Sequence, residues 1–101
     1  MQTLDLRNPD ITTAERAARM AEFIANATPP DGCDNIELQL VAEWDGDCEP
    51  VFEGDDTSGA GAVYWSLYWH VPNVGANCFA DCHWEHDALH VLSALSAKWE
   101  L

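Results

Sequence analysis

The stretch Val63–Val71, VYWSLYWHV, constrains the fold more than any other part of the chain. Val63, Trp65, Leu67, Trp69 and Val71 fall on one side, and Tyr64, Ser66, Tyr68 and His70 on the other. Strict alternation in β-branched and aromatic residue types is the mark of a strand. One face is wholly apolar and has to be covered. The other is aromatic with polar tips, which suits contact with water or a partner. The strand is expected to be the most buried in the molecule, so the question becomes what packs against it.

Two helices supply the cover. Thr12 at N-cap with Glu15 at N3 forms a capping box, and the helix it opens runs to about Ala27. Ala17, Met20, Ala21 and Ile24 share one face, with Phe23 and Ala27 beside it, while Arg16, Arg19 and Glu22 point elsewhere. Thr28-Pro29-Pro30-Asp31-Gly32 ends it, because proline cannot continue a helix. A second helix runs from about His83 or Trp84 to Trp99. Trp84, Ala88, Val91, Leu92, Leu95 and Trp99 form its apolar stripe. Glu85 and Asp87 in the first turn and Lys98 in the last complement its dipole. All five tryptophans, Trp44 and Trp65 among them, fall on inward stripes.

Between the helices, Asn35–Trp44 alternates again, with Ile36, Leu38, Leu40, Ala42 and Trp44 on the apolar side. Asp45-Gly46-Asp47 is a turn signal, and residues 48–53 return. A two-residue loop would put Glu49 and Glu53 on the apolar face. A three-residue loop pairs Trp44 with Cys48, Ala42 with Pro50 and Leu40 with Phe52, so the longer loop is the expected one. Pro50 lacks a ladder donor, which puts the return strand at an edge. Residues 54–62 and 72–77 are loops. Cys78–Cys82 is a short strand, with Phe79 and Asp81 opposed to Cys78, Ala80 and Cys82. Residues 1–11 form an extended arm turning at Asn8-Pro9-Asp10. The expected architecture is one α+β domain over residues 1–101. It is a two-layer sandwich in the order α-β-β-β-β-α, with both helices on one face of a four-stranded antiparallel sheet.

Charge is the outlying property. There are 18 Asp and Glu against 4 Lys and Arg, a formal net charge of −14. No Lys or Arg occurs from Met20 to Ala97, while ten acids crowd residues 31–56. Such a field repels nucleic acid and anionic membranes and attracts a basic surface. No apolar run is long enough to span a membrane. The first residues carry no basic stretch leading into an apolar one, so the expected location is the cytoplasm, with free thiols.

Chemistry has few carriers. Cys78, Cys82, His86 and His90 are spaced by four, and a small metal-binding domain built on them is the alternative reading. The spacing lacks a C-x-x-C pair, so the expectation is no metal and no cofactor. Cys78, His70 and Asp81 could form a nucleophile, base and acid, but no strained elbow or glycine-rich oxyanion loop accompanies them, so no enzymatic activity is expected.

The acids point to a partner. In the three-residue register Glu37, Glu43, Glu49 and Glu53 share the outer face of the hairpin, with Glu43 directly opposite Glu49. Like charges across a strand pair are destabilising. Asp45, Asp47, Asp55 and Asp56 extend the field, and a partner's Lys and Arg would relieve it. Charge repeating along two strands imitates the phosphate rows of nucleic acid. In its size, its acid cluster over 31–56 and its missing cations over 20–97, the chain resembles the small acidic inhibitors that phages direct at host nucleic-acid-binding machinery, anti-CRISPR proteins and other DNA mimics among them. The resemblance implies an inhibitor occupying a basic surface, as on a CRISPR effector, without binding nucleic acid itself. These eight acids, with Tyr64 and Tyr68 as aromatic anchors, are the expected contact set. An acidic accessory domain using the tyrosine face, as a monomer or homodimer, is the other binding-protein reading.

Overall fold

The alternating stretch becomes β4 (Ala62–Val71), the central strand of a five-stranded mixed sheet in a computed structural model that describes residues 2–101. The elements in chain order are β1 (Leu4–Leu6), α1 (Thr13–Asn26), β2 (Asn35–Trp44), β3 (Asp47–Pro50), β4, β5 (Gly75–Cys82) and α2 (Glu85–Trp99). The sheet order is β1-β5-β4-β2-β3, and the fold is α+β. Leu67 and Trp69 are 0% and 1% exposed. One apolar core joins them to Met20 and Phe23 of α1 and to Ala88, Val91 and Leu95 of α2, so both helices lie on one face. Phe79 stacks on Trp69 at 4.1 Å between ring centres, with Phe23 5.7 Å beyond.

The amino-terminal segment is the first correction. Leu4–Leu6 is a strand, pairing parallel with β5 through Leu4–Ala80 and Leu6–Cys82. The sheet therefore has five strands and is mixed, not four and antiparallel. Leu4 and Leu6 are buried while Asp5 faces out, and α1 carries the chain from this edge back across the sheet to β2.

The second is the hairpin register. Trp44 pairs with Asp47, Glu43 with Cys48, Ala42 with Glu49 and Val41 with Pro50, which is the two-residue loop. Asp45 and Gly46 take φ of 50° and 90°. Both are left-handed, and Asp-Gly is the favoured pair for such a turn because its twist matches that of the strands. Local turn chemistry overrode the apolar alternation. Glu43 and Glu49 therefore do not face each other. Glu49 turns to the side of Ala42 and Trp44, and it stays exposed because β3 is the sheet edge. Phe52, expected opposite Leu40, is 64% exposed.

Third, α1 is rotated. Its buried positions are Arg16, Met20 and Phe23, continued by Ala27, while Ala17 and Ala21 are exposed. Arg16, expected to point away, is buried because Asp87 of α2 receives it. Its Nε donates to Asp87 Oδ2 at 2.8 Å and its Nη1 to the Ile11 carbonyl at 2.7 Å. The Thr12 cap holds, with Oγ1 accepting from Glu15 N at 3.1 Å. Fourth, β5 carries a bulge. Leu67 faces Ala80 and Tyr68 faces Cys78, so Phe79 is the extra residue. Phe79 and Ala80 both turn inward, and Cys78 is left on the opposite face from Cys82. Finally, Trp84 and Trp99 are partly exposed, at 39% and 37%.

Candidate functional site

The sheet face away from the helices presents Glu37, Gln39, Val41 and Glu43 of β2 beside Tyr64, Ser66, Tyr68 and His70 of β4. β3 adds Cys48 and Pro50, and β5 adds Cys78 and Asp81. The face divides into a closed end and an open end.

The closed end is a hydrogen-bonded network that runs from Asp5 and Arg7 at β1 across to Glu43 of β2 and Cys48 of β3. Tyr64 Oη donates to Glu43 Oε1 at 2.9 Å and lies 3.6 Å from Cys48 Sγ. The Arg7 guanidinium sits 5.5 Å above the Tyr64 ring, bonds Asp5 at 2.9 and 3.0 Å, and approaches Glu43 at 3.5 Å. Burial, with Cys48 and Glu43 beside it, holds the Tyr64 hydroxyl protonated well above its ordinary range. Tyr64 is thus a buried member of the sheet face, not a free anchor, and Glu43 already has a cation. Nearby, Ser66 Oγ donates to Asp81 Oδ1 at 2.6 Å and Cys78 Sγ to the same oxygen at 3.5 Å. Burial and the Asp81 charge push the Cys78 thiol up to about 11. A nucleophilic cysteine needs the opposite shift, toward thiolate.

The open end lies between β3 and β4, where Glu37, Gln39, Val41, Cys48, Pro50 and Tyr68 line a groove of about 540 Å³. His70 stands beside it, with Nδ1 2.6 Å from Asp34 Oδ1 and Nε2 4.0 Å from Glu37 Oε1. The bond to Asp34 raises the pKa of His70 above its ordinary 6.5.

Beyond the groove the hairpin tip and the following loop carry Asp45, Asp47, Glu49, Glu53, Asp55 and Asp56, all exposed. Among the described residues, none of the six forms an ion pair. Asp55 Oδ2 accepts from Phe52 N at 2.8 Å and Asp56 Oδ1 from Ser58 N at 2.9 Å, so the loop is held by its own carboxylates. Its bonds from Ser58 lower the Asp56 pKa. The expected acid set is therefore split. Glu37 and Glu43 lie on the outer face, Asp47 and Glu49 on the other side of the hairpin, and Asp45, Glu53, Asp55 and Asp56 in turns.

Sequence reasoning missed three residues here. Phe52, expected in the core opposite Leu40, stands exposed in the loop with Glu53, Asp55 and Asp56. The signal was Pro50, which ends β3 before Phe52 can pair. Arg7 lies within the expected extended arm, and Asp34 falls between the expected helix stop and strand with no role of its own. The alternative metal set is not assembled: Cys78 and Cys82 lie on opposite faces of the sheet, His86 and His90 are exposed on α2, and no metal-holding group of His, Cys, Asp and Glu occurs among the described residues. Among the described residues, no helix is long and apolar enough to cross a membrane. No family model matches the chain, and neither a curated protein nor a solved structure does.

Proposed function

We propose that the protein is an acidic inhibitor that binds the basic, nucleic-acid-binding surface of another protein in the cytoplasm. The partner class this reading names is a CRISPR effector, and the nucleic acid itself is not bound. The observation that carries it is the hairpin tip and the loop after it, where six exposed carboxylates form no ion pair among the described residues and an exposed Phe52 lies in the same loop as Glu53, Asp55 and Asp56. A field of this kind costs self-repulsion and steers a cationic surface toward it. An exposed aromatic beside the loop acids supplies the apolar anchor that charge alone lacks. The reading assigns no reaction and no cofactor to the chain. Tyr68 keeps its place in the contact set through the groove, and Phe52 takes the role expected of Tyr64.

The test is capture of partners from a lysate, followed by competition with the captured protein's own nucleic acid. A nucleic-acid-binding partner is expected, displaced by its DNA or RNA and by rising salt. Asp47→Lys with Glu49→Lys should slow association, and Phe52→Ala should speed dissociation. Binding indifferent to both variants and to added nucleic acid would leave the acids as a solubility feature and end this reading.

A further inference from the structure

We propose that the groove between β3 and β4 seats an arginine side chain from a basic segment of the partner. The proposal rests on the inhibitor reading and locates where one of the partner's cations goes. The floor is apolar, with Val41 only 2% exposed and Pro50 beside it, and offers a bed for the aliphatic stem of a long side chain. The half-buried ring of Tyr68 forms part of the lining, and a planar guanidinium stacks on such a ring. Glu37 lies across from Tyr68 in the register, its side chain 49% exposed, and supplies a carboxylate for a charged donor.

Gln39 adds a second acceptor. Its Nε2 donates to the Leu40 carbonyl at 2.9 Å and the Val51 carbonyl at 3.2 Å. Two carbonyl partners fix the amide orientation, so its side-chain oxygen is turned to accept. Acceptors, an aromatic face and an apolar bed together select arginine over the alternatives. No Lys or Arg lines the groove, so an anion finds no partner there. A purely apolar occupant would bury Glu37 without a counter-charge. Lysine would answer the charge but has no planar fork to lie on Tyr68.

The probe is a tri-arginine peptide, with tri-lysine as control, titrated into the whole protein while amide NMR shifts are followed. Tri-arginine should move the amides of Gln39, Val41, Tyr68 and Ala76, and bind several-fold more tightly than tri-lysine. Glu37→Gln removes only charge and should weaken tri-arginine roughly tenfold. Tyr68→Ala should weaken it about two- to fivefold, with Tyr68→Phe restoring wild-type affinity. Shifts confined to residues 45–56, equal affinity for the two peptides, or indifference to Glu37→Gln would each overturn the proposal. So would sedimentation showing a dimer that covers the groove. The two readings fail separately. If Asp47→Lys with Glu49→Lys abolishes partner capture while Glu37→Gln leaves both capture and peptide binding intact, the groove proposal falls and the inhibitor stands. If Glu37→Gln weakens the peptide but capture ignores the tip charges, the inhibitor reading falls and the groove remains an arginine site.

Discussion

The helical layer and the hairpin tip treat charge in opposite ways. All four cations of the chain serve the helices or the β1 edge. Arg16 joins α1 to Asp87 of α2, and Lys98 donates to the Ile24 and Ala25 carbonyls at the end of α1, at 2.9 and 3.1 Å. Arg19 pairs with Glu15 along α1, and Arg7 closes the network around Tyr64 and Glu43. At the tip six carboxylates have no such company. Where charge carries architecture it is partnered, and at Arg16–Asp87 it is dry as well. Where it is left unpaired it is wet and peripheral, and its removal should not unfold the chain. The two regions should therefore respond to substitution with different size and different sign.

The largest effect belongs to the core under the helices. Trp69→Ala removes a fully buried ring stacked on Phe79 and should cost about 3–5 kcal/mol. That is a large share of the stability of a domain this size. Denaturant melts read it directly, and a wild-type midpoint would mean that β4 does not carry the core.

Next comes the buried ion pair. Asp87→Ala strands the Arg16 guanidinium in the core, and breaking such a pair costs about 3 kcal/mol or more. Replacing both partners, Arg16→Met with Asp87→Leu, should recover most of the loss, because no charge is then left uncompensated. A double-mutant cycle measures this. If the double variant is as unstable as Asp87→Ala, the pair holds α1 in place through geometry that apolar packing does not reproduce.

These contrasts show what the sequence could and could not disclose. The central strand was legible because the nine residues Val63–Val71 alternate in strong strand formers, and both helices because their stripes and the Thr12 cap agree. β1 was not: three residues hold too little period, and their partners lie more than seventy residues along the chain. Nor was the rotation of α1, since an arginine is read as solvent-facing until its carboxylate is placed. The hairpin set two local rules against each other. Alternation favoured the longer loop, and the left-handed preference of Asp45-Gly46 decided for the shorter one. That single residue of register carried Glu49 off the outer face and divided the candidate site. The bulge at Phe79 did the same to Cys78 and Cys82.

At the tip the sign reverses. Asp47→Lys or Glu49→Lys should leave the fold intact and raise stability by about 0.2–0.5 kcal/mol, by relieving repulsion on an exposed strand. Asp45 is the wrong position for this test. Its φ of 50° favours Asp over Lys, so a backbone cost would offset the electrostatic gain. Salt should shrink the difference between wild type and Asp47→Lys, since exposed charge is screened over about 8 Å at physiological ionic strength. A loss of stability at low salt would mean that the tip acids hold local structure beyond the turn bonds of Asp55 and Asp56.

The smallest effect lies between the two regions, at His70. Its Nδ1 is 2.6 Å from Asp34, the Asp34 amide donates to the His70 carbonyl at 3.0 Å, and Glu37 stands 4.0 Å from Nε2. The Asp34 bond leads in raising the pKa above the ordinary 6.5, with both carboxylates adding their charge. A raised folded-state value means that the protonated ring is the one the folded state favours. The stabilising contribution is therefore fully present below 6.5 and is lost as pH climbs through the raised value. An NMR titration of the His70 ring should place its midpoint above 6.5, and Asp34→Asn should bring it back toward that value. The same proton reaches the groove. A charged His70 shares Glu37, so tri-arginine should bind more weakly below the His70 midpoint than above it. Asp34→Asn should shift that pH profile down together with the ring's midpoint. A binding profile that stays in place while the ring midpoint moves would separate His70 from the groove and leave its bond to Asp34 as a tie between β4 and the turn before β2.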